Sequence, residues 1–137
     1  MKRFLLDTNI CIELLRGNKA VNKKALSIGI ARCFISIINM IELRIGEELA
    51  KSNPVKYRNQ HIDDFLDSLE IIPIDKAVVD YFIKEKVRLQ LAGTPAHNNF
   101  DLLIGCTAVV NGLTMVTDNI KDFKRISNIK LEDWLER

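Results

Sequence analysis

Short apolar runs alternate along the chain with longer stretches of helical period. Residues 3–6 form a run that ends at Asp7 and predict a buried strand. Residues 9–16 predict a helix stopped by Gly17, and residues 21–28 a second helix stopped by Gly29. Residues 33–36 read as the next strand. Residues 39–51 step Met40, Leu43 and Glu47 round a turn and stop before Asn53-Pro54. Residues 57–69 place Ile62, Phe65, Leu66 and Leu69 on one helical face. A third strand over 70–74 contains Pro73, which a central strand does not accommodate, so it is expected at a sheet edge. Residues 76–91 form a long amphipathic pattern that ends near Gly93-Thr94-Pro95. Residues 101–110 are apolar almost all round and predict a helix buried on most sides. A strand over 113–117, a short helix over 119–123 and a last strand over 128–131 complete the chain.

Strands separated by helices imply a parallel sheet covered on both faces. The expected fold is α/β: a three-layer α/β/α sandwich with a central, mostly parallel sheet. No repeat or linker divides the 137 residues, so residues 1–137 read as one domain. Hydrophobic residues are 47% and charged residues 28%, as in soluble globular proteins. The 20 Lys and Arg against 18 Asp and Glu exclude a strongly basic coat and an acidic disordered tail, but leave room for a local basic patch. Cys11, Cys33 and Cys106 form no C-x-x-C pair, which fits a reducing compartment. The uncharged stretch 102–117 is broken by polar residues and is too short to span a membrane, and the opening apolar run is too short for a secretory leader. A cytoplasmic location without a membrane partner is expected.

In a parallel sheet, ligand sites lie beyond the carboxyl ends of the strands. Asp7 follows the first strand and Asp118 follows the 113–117 strand. If those strands are neighbours, the two acids meet at one edge. Glu42 falls in the first turns of the helix after the second strand, and Asp101 opens the buried helix. Helix starts fed by strand ends share that edge, so four acids are expected in one crevice. Each also has a plainer reading. Asp7 and Asp101 suit helix caps, and Thr117-Asp118-Asn119 is an ordinary turn and cap sequence. Against those readings, a charge closing a buried strand is costly unless used, and Glu42 is the lone charge between Ile37 and Leu43. For Asp118 both readings stay open.

Converging carboxylates raise one another's pKa. A hard cation such as Mg²⁺, or Mn²⁺ in its place, relieves that repulsion with oxygen ligands and waters. It also acidifies a water and polarises a phosphodiester, which points to hydrolysis of that bond. No G-x-S-x-G or phosphate-cradling glycine loop competes. A Mg²⁺-dependent phosphohydrolase is an alternative, but it wants a second Asp where Asn9 stands. A phosphoacceptor receiver domain wants paired acids early in the chain. A non-catalytic binding module leaves four acids unexplained.

Four segments, in order, resemble the motifs of PIN-domain nucleases. They are Phe4-Leu5-Leu6-Asp7-Thr8-Asn9, the stretch from Ser36 through Glu42-Leu43 to Gly46, Asp101-Leu102-Leu103-Ile104-Gly105-Cys106-Thr107-Ala108, and Leu113-Thr114-Met115-Val116-Thr117-Asp118-Asn119 with Asp122-Phe123 after it. The tail Leu131-Glu132-Asp133-Trp134 is also similar, and the best match is to VapC-type toxins of toxin–antitoxin modules. The resemblance implies a Mg²⁺- or Mn²⁺-dependent endoribonuclease acting on RNA such as transfer RNA. It also implies a homodimer held in check by a VapB-type antitoxin. Asp7, Glu42 and Asp101 take the core acidic roles, and Asp118 or Asn119 the fourth. Asn9, Asn119 and Arg44 are candidates for support or substrate contact. Asn39 stands where the family often has Thr, Gly105 where it often has Ala, and the loop before Asp101 is one residue longer than usual.

Outside the acids, Lys84, Lys86 and Arg88 read as a solvated helix face, whereas Lys121, Lys124 and Arg125 lie close enough to Asp118 in sequence for phosphate contact. Aromatic content of 7% does not indicate a stacking platform, and recognition of a folded RNA by shape and backbone is expected. An amphipathic antitoxin helix is expected on residues 9–16 and 57–69, with Ile10, Ile12 and Phe65 as contacts.

Overall fold

The computed structural model describes residues 1–53 and 61–135. The elements run β1 (Phe4–Leu6), α1 (Thr8–Leu15), α2 (Lys19–Ile28), a 3-10 turn (Ile30–Arg32), β2 (Cys33–Ser36), α3 (Ile37–Lys51), α4 (Ile62–Ser68) and β3 (Glu70–Ile72). They continue with α5 (Lys76–Leu91), α6 (Asn99–Val110), β4 (Thr114–Val116), α7 (Ile120–Phe123) and β5 (Lys130–Glu132). The five strands are ordered β3-β2-β1-β4-β5 and every neighbouring pair is parallel. The sheet is therefore wholly parallel. β3 lies at its edge and stops at Ile72, directly before Pro73, whose missing N–H could not extend the ladder.

Side-chain alternation along the strands sorts the core into two halves. Phe4, Leu6, Cys33, Ile35 and Val116 pack with residues of α1, α2 and α4. Leu5, Phe34 and Met115 pack with residues of α5, α6 and α7. α3 serves both sides, giving Leu43 to the first half and Ile38 to the second. This is the three-layer sandwich. Trp134 is buried on the first side, edge-on to Phe4 at 5.4 Å between ring centroids, and ties the C-terminal segment down. Ile10 is fully buried in the same half, so the expected docking contact there is a core residue instead.

Local chemistry explains the helix boundaries. Asn18, Ser36, Asp75 and Asn98 each accept a backbone N–H from the first turn of the helix they precede. Gly17, at φ 81°, takes the left-handed turn that ends α1. α4 covers only part of the expected 57–69 helix, whose residues 57–60 lie outside the described residues. α6 begins before Asp101, because Asn98 rather than Asp101 is its cap. The rule that a strand end feeds the next helix start holds for α3 but not for α6, which follows α5. α6 starts near the strand ends for another reason. Its C-terminus must reach the start of β4, only a short turn away, so its N-terminus lies at the opposite edge.

Gly105 lies in the buried centre of α6, against the turn after α7. A methyl group there would run into the end of the Ile126 side chain, with Phe123 and Ile129 close behind. Gly105→Val should therefore cost about 1–3 kcal/mol by overpacking. Chemical denaturation checks this, and Ile126→Ala in the same chain should recover part of the loss if this contact is the cause.

Candidate active site

The register of the central strands builds the site. Leu6 pairs with Val116, so the next residues, Asp7 and Thr117, stand side by side past the strand ends. Asp7 Oδ2 accepts the Thr117 hydroxyl at 2.8 Å. Asp7 Oδ1 accepts the Thr8 backbone N–H at 2.8 Å, so this carboxylate also caps α1. Thr117 Oγ1 in turn accepts the Asn119 N–H at 3.0 Å. Asp7 is only 6% exposed. Burial pushes its carboxyl from the ordinary 3.8 up to about 6. The bonds from Thr117 and Thr8 oppose that rise, while the charges of Asp101 and Glu42 add to it.

A second hydrogen-bond chain aims Glu42. Asn39 is fully buried, and its Oδ1 accepts both the backbone N–H and the hydroxyl of Ser36, at 2.8 and 2.7 Å. Its amide nitrogen must then point the other way, and it donates to Thr8 Oγ1 at 3.0 Å. The Thr8 hydroxyl, its oxygen so engaged, donates to Glu42 Oε1 at 2.6 Å. Glu42 sits one turn beyond Asn39 in α3 and is thus held from the end of β2. At Asn39, where the resemblance noted Thr, the longer amide is what closes this chain.

Asp101 lies in the first turn of α6 and is half-buried. Burial raises its pKa, and the charges of Glu42 and Asp122 raise it further. Asp7, Glu42 and Asp101 therefore lie near enough for their charges to act on one another. Asp122, in α7, is the acid that sequence reasoning did not single out. Its Oδ2 accepts the Asn119 side-chain amide at 2.9 Å, and it lines one cleft with Asp101, His97, Asn98 and Arg125. The signal was the Asn-x-x-Asp spacing at Asn119, the offset of a cap residue and its reciprocal partner. Asp118 lies just past β4, with Oδ1 buried and without a hydrogen-bond partner. Asn9 is exposed on the first turn of α1. Arg44 pairs with Glu47 at 3.0 Å and Asp63 at 2.7 Å, so its charge is engaged by acids outside the crevice.

Among the described residues, none of the five carboxylates Asp7, Glu42, Asp101, Asp118 and Asp122 has an ion-pair partner. Nor do any three His, Cys, Asp or Glu side chains there already stand close enough to hold one metal ion. The donor set is nonetheless all oxygen, anionic and uncompensated, with one buried oxygen left unpartnered at Asp118. Such a set suits a hard divalent cation that keeps several of its waters. Asp7 and Asp101 are the residues that would hold it, with Glu42 beside them.

Acids gathered at the carboxyl ends of a β3-β2-β1-β4-β5 parallel sheet, each on its own element, define a class. The chain belongs to the PIN domain family, whose profile matches residues 4–129. Relatives within it include VapC proteins. Ribonuclease VapC2 of Rickettsia felis is 32% identical over 131 residues, covering 96% of this chain and 97% of that protein. The tRNA(fMet)-specific endonuclease VapC of Salmonella typhimurium is 31% identical over 134 residues, covering 98% and 99%. The crystal structure of DNA-bound VapBC from Salmonella typhimurium superposes with a TM-score of 0.86 at 29% identity, over 98% of this chain and 100% of that one. VapBC2 from Rickettsia felis, bound to a DNA fragment from its promoter, gives 0.79 at 33% identity, over 96% and 98%.

The raised Asp7 pKa has a consequence for stability. A carboxyl whose folded pKa exceeds its unfolded one binds protons more tightly when folded, so the metal-free protein loses stability as pH rises through about 4 to 6. The separation of 3.8 from about 6 corresponds to an upper bound on the order of 3 kcal/mol. Asp7→Asn should raise stability by about 1–3 kcal/mol above pH 6 in EDTA, with the gain shrinking toward pH 4. Urea melts of both proteins across that range check the sign.

Proposed function

We propose that this chain is a Mg²⁺-dependent endoribonuclease, with Mn²⁺ able to substitute, and the toxin of a type II toxin–antitoxin module. One observation carries the reading. Asp7, Glu42 and Asp101 meet, without cationic partners, at the strand ends of a PIN domain whose relatives are named ribonucleases. When bound, a divalent cation supplies positive charge to the phosphodiester and acidity to a water. The chain's own residues do the rest. Asp7 and Asp101 would hold the cation. Glu42, fixed by Thr8, would align a water for in-line attack on phosphorus. Asn119 holds Asp122 at the cleft wall, on the side where the substrate strand would lie. The named activity of the Salmonella relative favours transfer RNA as substrate.

The same reading includes a VapB-type antitoxin and a homodimer, in a cytoplasmic setting. The VapBC complexes among the structural relatives support the antitoxin. Two apolar rows at four-residue spacing are left exposed, Ile41, Ile45 and Leu49 on α3 and Val79, Ile83, Val87 and Leu91 on α5. Contiguous exposed rows of this kind are what partner chains cover, and two rows fit two partners. No helix among the described residues is long and apolar enough to cross a membrane.

The test is cleavage of a total transfer-RNA pool by antitoxin-free protein with Mg²⁺, Mn²⁺ or EDTA. Discrete metal-dependent fragments are expected, and Asp7→Asn should lower their rate by about 100-fold or more. Equal cleavage by wild type and variant would overturn the assignment.

A further inference from the structure

An acidic crevice repels the polyanion it is meant to cut, and a net charge of +2 offers little overall attraction. The fold assembles a local remedy from two segments that the sequence keeps apart. Lys86, on α5, donates to Asn99 Oδ1 at 2.7 Å, at the first residue of α6 and next to Asp101 in that turn. Arg88 donates to the Arg125 carbonyl at 2.7 Å and so joins the end of α5 to the turn after α7. Arg125 reaches back across the cleft. Its Nη1 donates to the carbonyls of Thr94 and Pro95 at 3.2 and 3.3 Å, and its Nε to the Asp122 carbonyl at 3.4 Å. Arg88 and Arg125 are thus neighbours, which their separate positions in the chain did not show.

The charge state of Lys86 and Arg125 sets them apart from the ion-paired cations of α5. Arg88 is neutralised by Glu85 at 2.8 and 2.9 Å, Arg44 by Glu47 and Asp63, and Lys76 by Asp80. Lys86 and Arg125 are held only by neutral oxygens. Lys121 and Lys124 are exposed on either side of Asp122. Among the described residues, none of these four makes an ion pair. Arg125 also lines the cleft that Asp101 and Asp122 share. Uncompensated cations held against carbonyls or left free at the mouth of an acidic cleft fit a chain of phosphates.

We infer that Lys86, Lys121, Lys124 and Arg125 form a rim that binds the RNA backbone and leads the strand past Asp101 and Asp122. The inference rests on the ribonuclease reading above. The rim binds phosphates on the side of α7 and the 94–98 loop, and it supplies the attraction that the acids oppose.

The experiment measures binding rather than cleavage. Asp7→Asn protein, without divalent ions, is titrated into a fluorescent single-stranded RNA and into a transfer-RNA pool at several KCl concentrations. Lys86→Gln and Lys124→Gln are added singly and together, since neither side chain is buried in the core. Lys23→Gln, on α2 across the sheet, is the control, and melting temperatures confirm folding. Each rim substitution is expected to weaken binding several-fold and to lower the slope of log K against log salt by about one. Binding and slopes indistinguishable from the Lys23→Gln control would overturn the rim while leaving the ribonuclease reading standing. No RNA binding by the Asp7→Asn parent at any salt would overturn both.

Discussion

A carboxylate closing the central strand of a buried parallel sheet is under an electrostatic constraint that shapes everything around it. Asp7 loses most of its hydration and faces two further acids, so its charged form is disfavoured. Among the described residues, the Thr8 N–H and the Thr117 hydroxyl oppose that. A cation bound there, as proposed, would supply the missing charge. The cost in the free protein is the counterpart of the affinity the site can offer a cation.

The surrounding hydrogen bonds hold this repulsive group in shape. Ser36, Asn39, Thr8 and Glu42 form one directed chain, and Asn119 and Thr117 end at Asp7. Both chains begin at strand ends, where the sheet register fixes the backbone, and both spend buried donors on orienting acids. Rigidity of this kind is what in-line chemistry needs, because reacting groups must already be aligned. Beyond the acids, the cleft wall is built from α7 and the loop before α6, joined by Arg125. Gly105 lets Ile126 sit close against α6, which draws that wall inward.

Much of this was legible in the sequence. Short apolar runs and helical periods located the strands and long helices, and Pro73 marked the edge strand. Asp7, Glu42 and Asp101 were found because charges at the ends of apolar segments are rarely idle. Other features were not legible because they depend on tertiary contact. Asn39 and Thr8 look like ordinary cap and first-turn residues until the register brings β1 and β2 together. Asp122 in the sequence only follows the fourth motif, and its place in the cleft depends on how α7 packs against α6. Asn98 competed with Asp101 for the start of α6 and, with the better cap geometry, prevailed. Ile10 was taken for a surface contact because a short amphipathic helix does not reveal how much of its circumference is covered.

The claim that most of this depends on is that a divalent cation relieves the repulsion among Asp7, Glu42 and Asp101. The direct measurement is the melting temperature of antitoxin-free protein at pH 7.5 in EDTA and over a titration of Mg²⁺ or Mn²⁺. A saturable rise is expected for wild type, and its loss in Asp7→Asn and Asp101→Asn. A wild-type melting temperature indifferent to both cations, or an equal rise in the two variants, would contradict a cation site built from these acids.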